Sequence, residues 1–218
     1  VVIEILDLYS GKGGAAKGYK RAGFRVIGVD INYHEDYAGD DFIQGDACKI
    51  LRRDGHKFKF IHASPPCQFS STLTKGTNQG RIYPNLIGPT REALQEVGSL
   101  WVIENVPGAQ IRKDLMLCGE MFNLRVVRHR NFEFWTPLTI SKVHPKHRGS
   151  IAGYNHGEFN EDGYYFQVYG EGGGKGTIEE WRMAMGIDWT WDRKGIAEAI
   201  PPAYTEWIGQ QVMMGLVA

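Results

Sequence analysis

Val1 to Leu6 is a largely aliphatic run that empties directly into Asp7-Leu8-Tyr9-Ser10-Gly11-Lys12-Gly13-Gly14 and then into an Ala- and Lys-bearing stretch, Ala15 to Ala22. A buried strand, a glycine turn and a helix in that order form the opening βα unit of a doubly wound, Rossmann-like α/β sheet. The glycines let backbone approach a ligand closely, and the helix N-terminus offers free N–H groups. The spacing matches neither GxxxxGK[ST] nor GxGxxG, so neither a phosphate cradle nor a bound dinucleotide is favoured.

The second strand, Arg25 to Val29, ends in Asp30, whose lone pairs suit a pair of ribose hydroxyls. Asp40 to Ile43 leads to a further strand-end carboxylate at Asp46, and Lys49 to Gly55 reads as helical. Phe58 to Ala63 then climbs as a strand into Ser64-Pro65-Pro66-Cys67-Gln68. Prolines cannot continue a ladder, so Cys67 is held in a stiff turn at a strand's carboxyl end, where ligands of open α/β sheets bind. The polar, aperiodic segment from Ser70 to Gly88 reads as a functional lid. Arg91 to Gly98 reads as a short helix, and the apolar strand Leu100 to Ile103 delivers Glu104-Asn105-Val106 at its end. Carboxyl ends of neighbouring parallel strands lie together, so Cys67 and Glu104 can reach one substrate. Val126-Val127 and Asn131 to Trp135 read as a hairpin turning at Arg128-His129-Arg130. Residues 145–175 change to glycines, aromatics and acids, a small irregular lobe. Thr177 followed by Glu180 is a capping box that opens a helix, and Pro201-Pro202 precedes a last amphipathic helix, Tyr204 to Met214.

At 218 residues, 42% hydrophobic and 23% charged, the chain supports one good core, and no apolar run nears the ~20 residues that span a bilayer. No secretory signal is visible, and the chain starts in a strand without an initiator Met, which points to a trimmed terminus. Cys48, Cys67 and Cys118 form no CxxC pair, so neither a disulfide framework nor a zinc site is suggested, and a reducing cytoplasm is expected. His144 and His147 read as a surface loop, so no metal is expected. Net charge is zero, which does not announce a nucleic-acid binder, yet Arg125, Arg128, Arg130, Lys142, Lys146 and Arg148 form a locally basic run able to meet phosphates.

The order Asp-Leu-Tyr-Ser-Gly-Lys-Gly-Gly, strand-end acids, Pro-Pro-Cys-Gln, Glu-Asn-Val, Arg-x-Arg and a late Ile-Pro-Pro resembles the cytosine-5 DNA methyltransferases over nearly the whole chain, Leu6 to Gly209. The resemblance implies a Rossmann-like class I S-adenosylmethionine-dependent methyltransferase sheet with a small recognition lobe. It divides the chain into a catalytic core at 1–144, a target-recognition lobe at 145–176 and C-terminal helices at 177–218 that complete the core. A methyl group from S-adenosylmethionine would pass to C5 of cytosine in double-stranded DNA. A thiolate at Cys67 would attack C6 of a flipped base, since C5 must first become enamine-like. Glu104, dry and protonated, is implied to meet charge developing at N3 and N4, and Arg128 and Arg130 to approach O2 and the neighbouring backbone.

The implied cofactor contacts are Asp7, Leu8, Tyr9, Ser10, Gly11, Gly13 and Gly14 in the turn, Asp30 and Ile31 on the ribose side, and Asp46 and Ala47 at the adenine edge. Pro65 and Leu86 would line the floor, with Ala199 and Ile200 arriving from the last motif. Gln68, Ser70 and Lys75 are implied on DNA. The chain departs from the pattern at Tyr9 (usually Phe), at Ala63-Ser64 in place of two glycines, at Val126 in place of a Gln, and at Ala197-Glu198 in place of Gly-Asn. Its lobe is very short, which implies a short or relaxed recognition sequence. An RNA substrate, and a silent module that binds cofactor or DNA without catalysis, stand as alternatives; the expected assembly is a monomer.

Overall fold

The structure is a computed structural model that describes residues 2–66, 85–136, 140–155, 158–160, 162–169 and 176–217. Cys67, Gln68, Ser70 and Lys75, with the rest of the expected lid up to residue 84, lie outside the described residues.

Strands β1 (Glu4–Leu8), β2 (Arg25–Asp30), β3 (Asp41–Gln44), β4 (Phe60–Ala63) and β5 (Leu100–Asn105) form the parallel part of a seven-stranded sheet. The sheet is completed by β6 (Leu115–Leu117) and β7 (Arg130–Phe134), and its order is β3-β2-β1-β4-β5-β7-β6. The reversal of strand order between β1 and β4 is the topological switch point at which such sheets bind ligands. β7 runs antiparallel to both β5 and β6.

This corrects the expected hairpin. The partner of β7 across its turn is β6, whereas Val126 makes a lone bridge to Phe166 in the lobe. Valine pairs favour strands, but two residues cannot hold a ladder against the longer apolar register that Leu115 and Leu117 offer.

Side chains of a strand alternate between faces, and here both faces are covered. Leu6, Leu8, Ile27, Val29, Ile61, Ala63, Trp101 and Ile103 face α2 (Ala47–Asp54) and α3 (Ile87–Val97). Ile5, Val26, Phe60 and Val102 face α1 (Gly14–Arg21) and the last helix, α6 (Pro202–Val217). A half-buried ion pair binds α3 to the sheet: Arg91 donates to both carboxylate oxygens of buried Glu133 at 2.7 and 2.8 Å.

The last helix packs beside the first, as the sequence leads one to expect. Their approach depends on Gly18, where an added Cβ would stand 2.1 Å from the Pro202 carbonyl and 2.1 Å from Thr205 Oγ1. Thr205, fully buried, donates to the Ala15 carbonyl at 2.9 Å. Between the lobe and α6 lie α4 (Ile178–Met185) and α5 (Arg193–Glu198). The Thr177–Glu180 capping box of α4 forms in both directions, at 3.1 Å from the Glu180 amide and 2.7 Å from the Thr177 amide. Val126 and Val168 share a core with Trp181, Met185 and Ile196, so the lobe's base is continuous with these helices. Within the lobe, β8 (Gly153–Asn155) and β9 (Glu158–Asn160) form a separate two-stranded ribbon. No helix among the described residues is long and apolar enough to cross a membrane.

The α1 face of the sheet turns polar at its carboxyl end. Asp7 and His62 are register partners there, and Glu104 lies one strand on; all three are buried. The His62 ring is hydrogen-bonded at Nδ1 to the Tyr19 hydroxyl (3.0 Å) and at Nε2 to the Ser64 hydroxyl (2.9 Å). Burial pushes its pKa down to about 3, and a neutral imidazole with one donor and one acceptor satisfies both hydroxyls.

Two outcomes follow for stability. Gly18→Ala drives a methyl group into the Pro202 carbonyl and is expected to cost about 1–3 kcal/mol in denaturant unfolding. For His62, the unfolded chain takes up a proton near the ordinary 6.5 and the folded chain only near 3, so stability is lost as pH falls through that window. Between pH ~6.5 and ~5 the loss is about 2 kcal/mol, and it should vanish from the pH dependence of His62→Gln. An unchanged slope in that variant would contradict the neutral assignment.

Candidate active site

The site grows from the carboxyl ends of β1, β2, β4 and β5. At the end of β1 the buried Leu8 passes to Tyr9, which holds φ at 59°, a left-handed conformation unusual for a bulky residue and typical of functional turns. The Tyr9 hydroxyl lies 2.7 Å from Thr90 Oγ1 and 3.4 Å from Cys48 Sγ. Thr90 is fully buried on α3, so the departure from phenylalanine has a partner built for it. Burial raises the Tyr9 pKa well above the ordinary value and keeps the phenol neutral.

Gly11 and Gly13 take positive φ, and Gly13 stands at the cap of α1 with no side chain to bond its first amides. The first amides of α1 therefore face the cleft without a capping side chain. A Cβ on Gly14 would stand 2.5 Å from the Ile200 carbonyl, which brings Ala199-Ile200 against the start of α1. The turn is held from outside by contacts that no local pattern announces. Lys12 is paired with Asp36 at 2.5 Å and Asp192 at 3.5 Å, and Trp189 donates its indole N–H to the Lys12 carbonyl at 2.8 Å.

Asp30 ends β2, accepting the Gly11 amide at Oδ2 and the Asn32 amide at Oδ1, both at 3.0 Å. Its neighbour Ile31 is exposed. A carboxylate beside an exposed aliphatic side chain, facing an uncapped helix start, fits a nucleoside, with hydroxyls for the former and a flat ring for the latter. Asp46 spends one oxygen capping α2, at 2.9 Å from the Lys49 amide, with Ala47 buried behind it. Leu86, partly buried, precedes α3.

At the end of β4 Pro65 is buried, and Asn105 donates its side-chain amide to the Pro65 carbonyl at 2.8 Å. Asn105, the last residue of β5, thus holds the Pro65 turn that precedes Cys67 in the sequence. Glu104 is buried, with its Oε1 2.9 Å from Arg130 Nε. The Arg130 N–H is not aligned on that oxygen, which has no well-formed hydrogen bond. Burial raises the Glu104 pKa, against the opposing pull of Arg130, Ser64 and Arg128. Asp7 behind it is raised further, by burial and by the Asp30 charge. Among the described residues, Asp7, Ser10, Tyr37 and Glu104 carry buried side-chain oxygens without a well-formed hydrogen bond, although Tyr37 bears on Asp7 and Ser64 on Glu104; Asp7, Ser10 and Glu104 stand at or just past the carboxyl ends of β1 and β5. Buried polar atoms left open in one place are what a polar ligand would satisfy.

The two arginines separate. Arg130 faces Glu104, whereas Arg128 is buried and donates to the Val168 carbonyl at 2.7 Å and the Ala197 carbonyl at 2.5 Å. Arg128 therefore clamps the lobe and α5 to the core. Of the remaining basic run, Arg125 and Arg148 stack on Tyr164, and Arg148 pairs with Glu120 at 2.5 Å.

A cluster that the sequence reading missed lies on the far side of this motif. Cys118, His129, His144 and His147 bring four ligand atoms within 4.8 Å of one another. The only sequence signal was His144 and His147 three residues apart; the other two members come from distant segments.

No protein-family model matches the chain. Over 124 residues it is 30% identical to the type II methyltransferase M.HgiDI of Herpetosiphon aurantiacus, a match covering 51% of this chain and 39% of that protein. Among solved structures it is similar to the Dnmt2 methyltransferase of S. pombe, with a TM-score of 0.66, 16% identity and 99% of each chain covered. A DNA modification methyltransferase from an E. coli prophage superposes with a TM-score of 0.61 and 15% identity, covering 99% of this chain and 100% of that one. The seven-stranded sheet is thus that of the methyltransferases. The chain shares the fold of these solved methyltransferases, and about half of it aligns with part of one type II methyltransferase.

Proposed function

We propose that the protein transfers a methyl group from S-adenosylmethionine to C5 of cytosine in double-stranded DNA, through a covalent adduct between Cys67 and C6 of a flipped base. The observation that carries this reading is Glu104: a buried carboxyl with a raised pKa, one strand from the Pro65-Pro66 turn and facing Arg130. A carboxyl group held neutral can hydrogen-bond or protonate N3 of a pyrimidine as a nucleophile adds at C6. The following residue, Asn105, holds the turn that ends in the thiol.

Each residue's part follows from its chemistry. The Cys67 thiolate adds to C6, and Glu104 meets the negative charge that develops at N3, which makes C5 nucleophilic. Arg130, beside Glu104, is suited to O2 of the ring, while Arg128 positions it from behind. Bound S-adenosylmethionine would supply an electrophilic methyl group at C5. Loss of the C5 proton and departure of Cys67 restore aromaticity.

The same reading assigns the adenosine to the cleft among Tyr9, Ser10, Gly11, Asp30 and Ile31, with Asp7, Leu8, Gly13 and Gly14 shaping the turn. Asp46, Ala47, Pro65, Leu86, Ala199 and Ile200 would line it. Gln68, Ser70 and Lys75 are assigned to DNA. Residues 145–176 are assigned as the target-recognition lobe, and their small number implies few base-edge contacts.

Cys67→Ala should abolish methyl transfer while leaving cofactor binding intact, and only the wild-type chain should form a stable adduct with 5-fluorocytosine DNA. Full activity in the variant would sink the mechanism. Duplex DNA and RNA assayed side by side decide the substrate, and methylation of RNA alone would overturn the DNA assignment. Glu104→Gln should slow turnover by roughly 10²–10⁴-fold. The wild-type rate should fall as pH rises through the raised Glu104 pKa, because the protonated form is the active one. Asp30→Ala should weaken cofactor binding in calorimetry by about tenfold or more, the worth of a hydrogen bond to a charged group.

A further inference from the structure

We propose that Cys118, His129, His144 and His147 form a structural zinc site. The four ligand atoms all lie within 4.8 Å of one another. The His129 and His144 Nε2 atoms are 3.1 Å apart, and Cys118 Sγ is 3.5 Å from His147 Nε2. With Zn–N near ~2.0 Å and Zn–S near ~2.3 Å, the edges of a tetrahedron are about 3.3 Å between nitrogens and about 3.6 Å between nitrogen and sulfur. The His129–His144 and Cys118–His147 separations match those edges, and the remaining pairs lie within 4.8 Å.

The donor set also selects the metal. Three imidazoles and a thiolate are borderline to soft ligands, which suit zinc and disfavour magnesium or calcium. Four protein ligands close the coordination shell and leave no position for a substrate, which marks a structural site. Cys118 is buried and the three histidines are half-buried, so the site sits at the protein's edge with a path for the ion.

The ligands come from three places that the fold must hold together. Cys118 follows β6, His129 stands between Arg128 and Arg130 at the start of β7, and His144 and His147 lie in the segment that leads into the lobe. Supporting contacts lie beside His147. The Tyr165 ring lies 5.8 Å from that of His147, and the Tyr165 hydroxyl donates to buried Glu120, which also binds Arg148. Such outer contacts orient metal-bound imidazoles and offset the ion's charge. The site pins the entry of a lobe whose described strands are only three residues each, a situation in which small units commonly rely on a metal.

The full chain, expressed with zinc in the medium and desalted, is expected to retain one zinc per chain by elemental analysis. Replacement by Co²⁺ should give the intense d–d bands of a tetrahedral site together with a thiolate-to-cobalt charge-transfer band. Cys118→Ser should remove the charge-transfer band. His144→Ala and His147→Ala, both on a partly exposed segment, should each weaken zinc retention by at least about tenfold and lower the melting temperature, whereas Lys146→Ala should change neither. If the buried Cys118 variant fails to fold, the wild-type cobalt spectrum and the histidine variants still decide. Metal-free wild-type protein, an octahedral cobalt spectrum, or equal zinc in the His144→Ala/His147→Ala double variant would each overturn the proposal.

Discussion

The contact between the first and last helices governs the rest of the structure. Because Gly18 carries no side chain, the Pro202 turn of α6 lies directly on α1, and Thr205 locks it there through the Ala15 carbonyl. The same contact pulls Ala199-Ile200 against Gly14, so the end of the chain closes the side of a cleft that its beginning opens. A second set of long-range contacts, from Lys12 to Asp36, Asp192 and Trp189, fixes the turn itself. The glycine loop is flexible chemistry held rigid by its surroundings, which is how a turn with positive φ at Tyr9 can persist.

Beneath the cleft, the sheet face that packs on α1 carries Asp7, His62 and Glu104 where apolar residues would stabilise more. Each is buried, and burial drives each toward its neutral form. His62 meets this with two hydroxyl partners and behaves as core. Asp7 and Glu104 are less fully met: Tyr37 bears on Asp7 and Ser64 on Glu104, yet buried oxygens of both lack a well-formed hydrogen bond. The cost of those oxygens, of the order of 1–3 kcal/mol for each unsatisfied group, is concentrated at the strand ends, where a ligand would recover it. Ser64, in a position where the family pattern has glycine, links the two behaviours, since its hydroxyl touches His62 and bears on Glu104.

Much of this was legible along the chain. Strand ends carrying acids, the capping box at Thr177 and the return of the last helix are local patterns, or follow from the family order, and the structure reproduces them. What was hidden depends on distance in sequence. Val126-Val127 looked like half of a hairpin because two valines satisfy propensity, yet pairing is decided by which apolar register is long enough, and β6 won. Arg128 and Arg130 look equivalent in an Arg-x-Arg motif, and only the packing of Val168 and Ala197 tells the clamp from the residue that faces Glu104. His144 and His147 carried a weak signal that needed Cys118 and His129, from two other segments, to acquire meaning.

The small lobe shows how a chain of this length economises. Its described part has one three-residue ribbon and two isolated bridges, and it shares its apolar base, Val126 and Val168, with α4 and α5. Its order therefore comes from contacts that need little apolar area: Arg125 and Arg148 stacked on Tyr164, Tyr165 on Glu120, Arg128 on the Val168 carbonyl, and the convergence of three histidines with Cys118. Apart from the Arg148–Tyr164 stack, these interactions end on the segment from 118 to 130 that carries the Arg-x-Arg motif. The contacts that order the lobe therefore share one short segment with Arg130, which faces Glu104, so a change that loosens the lobe is expected to reach the candidate active site.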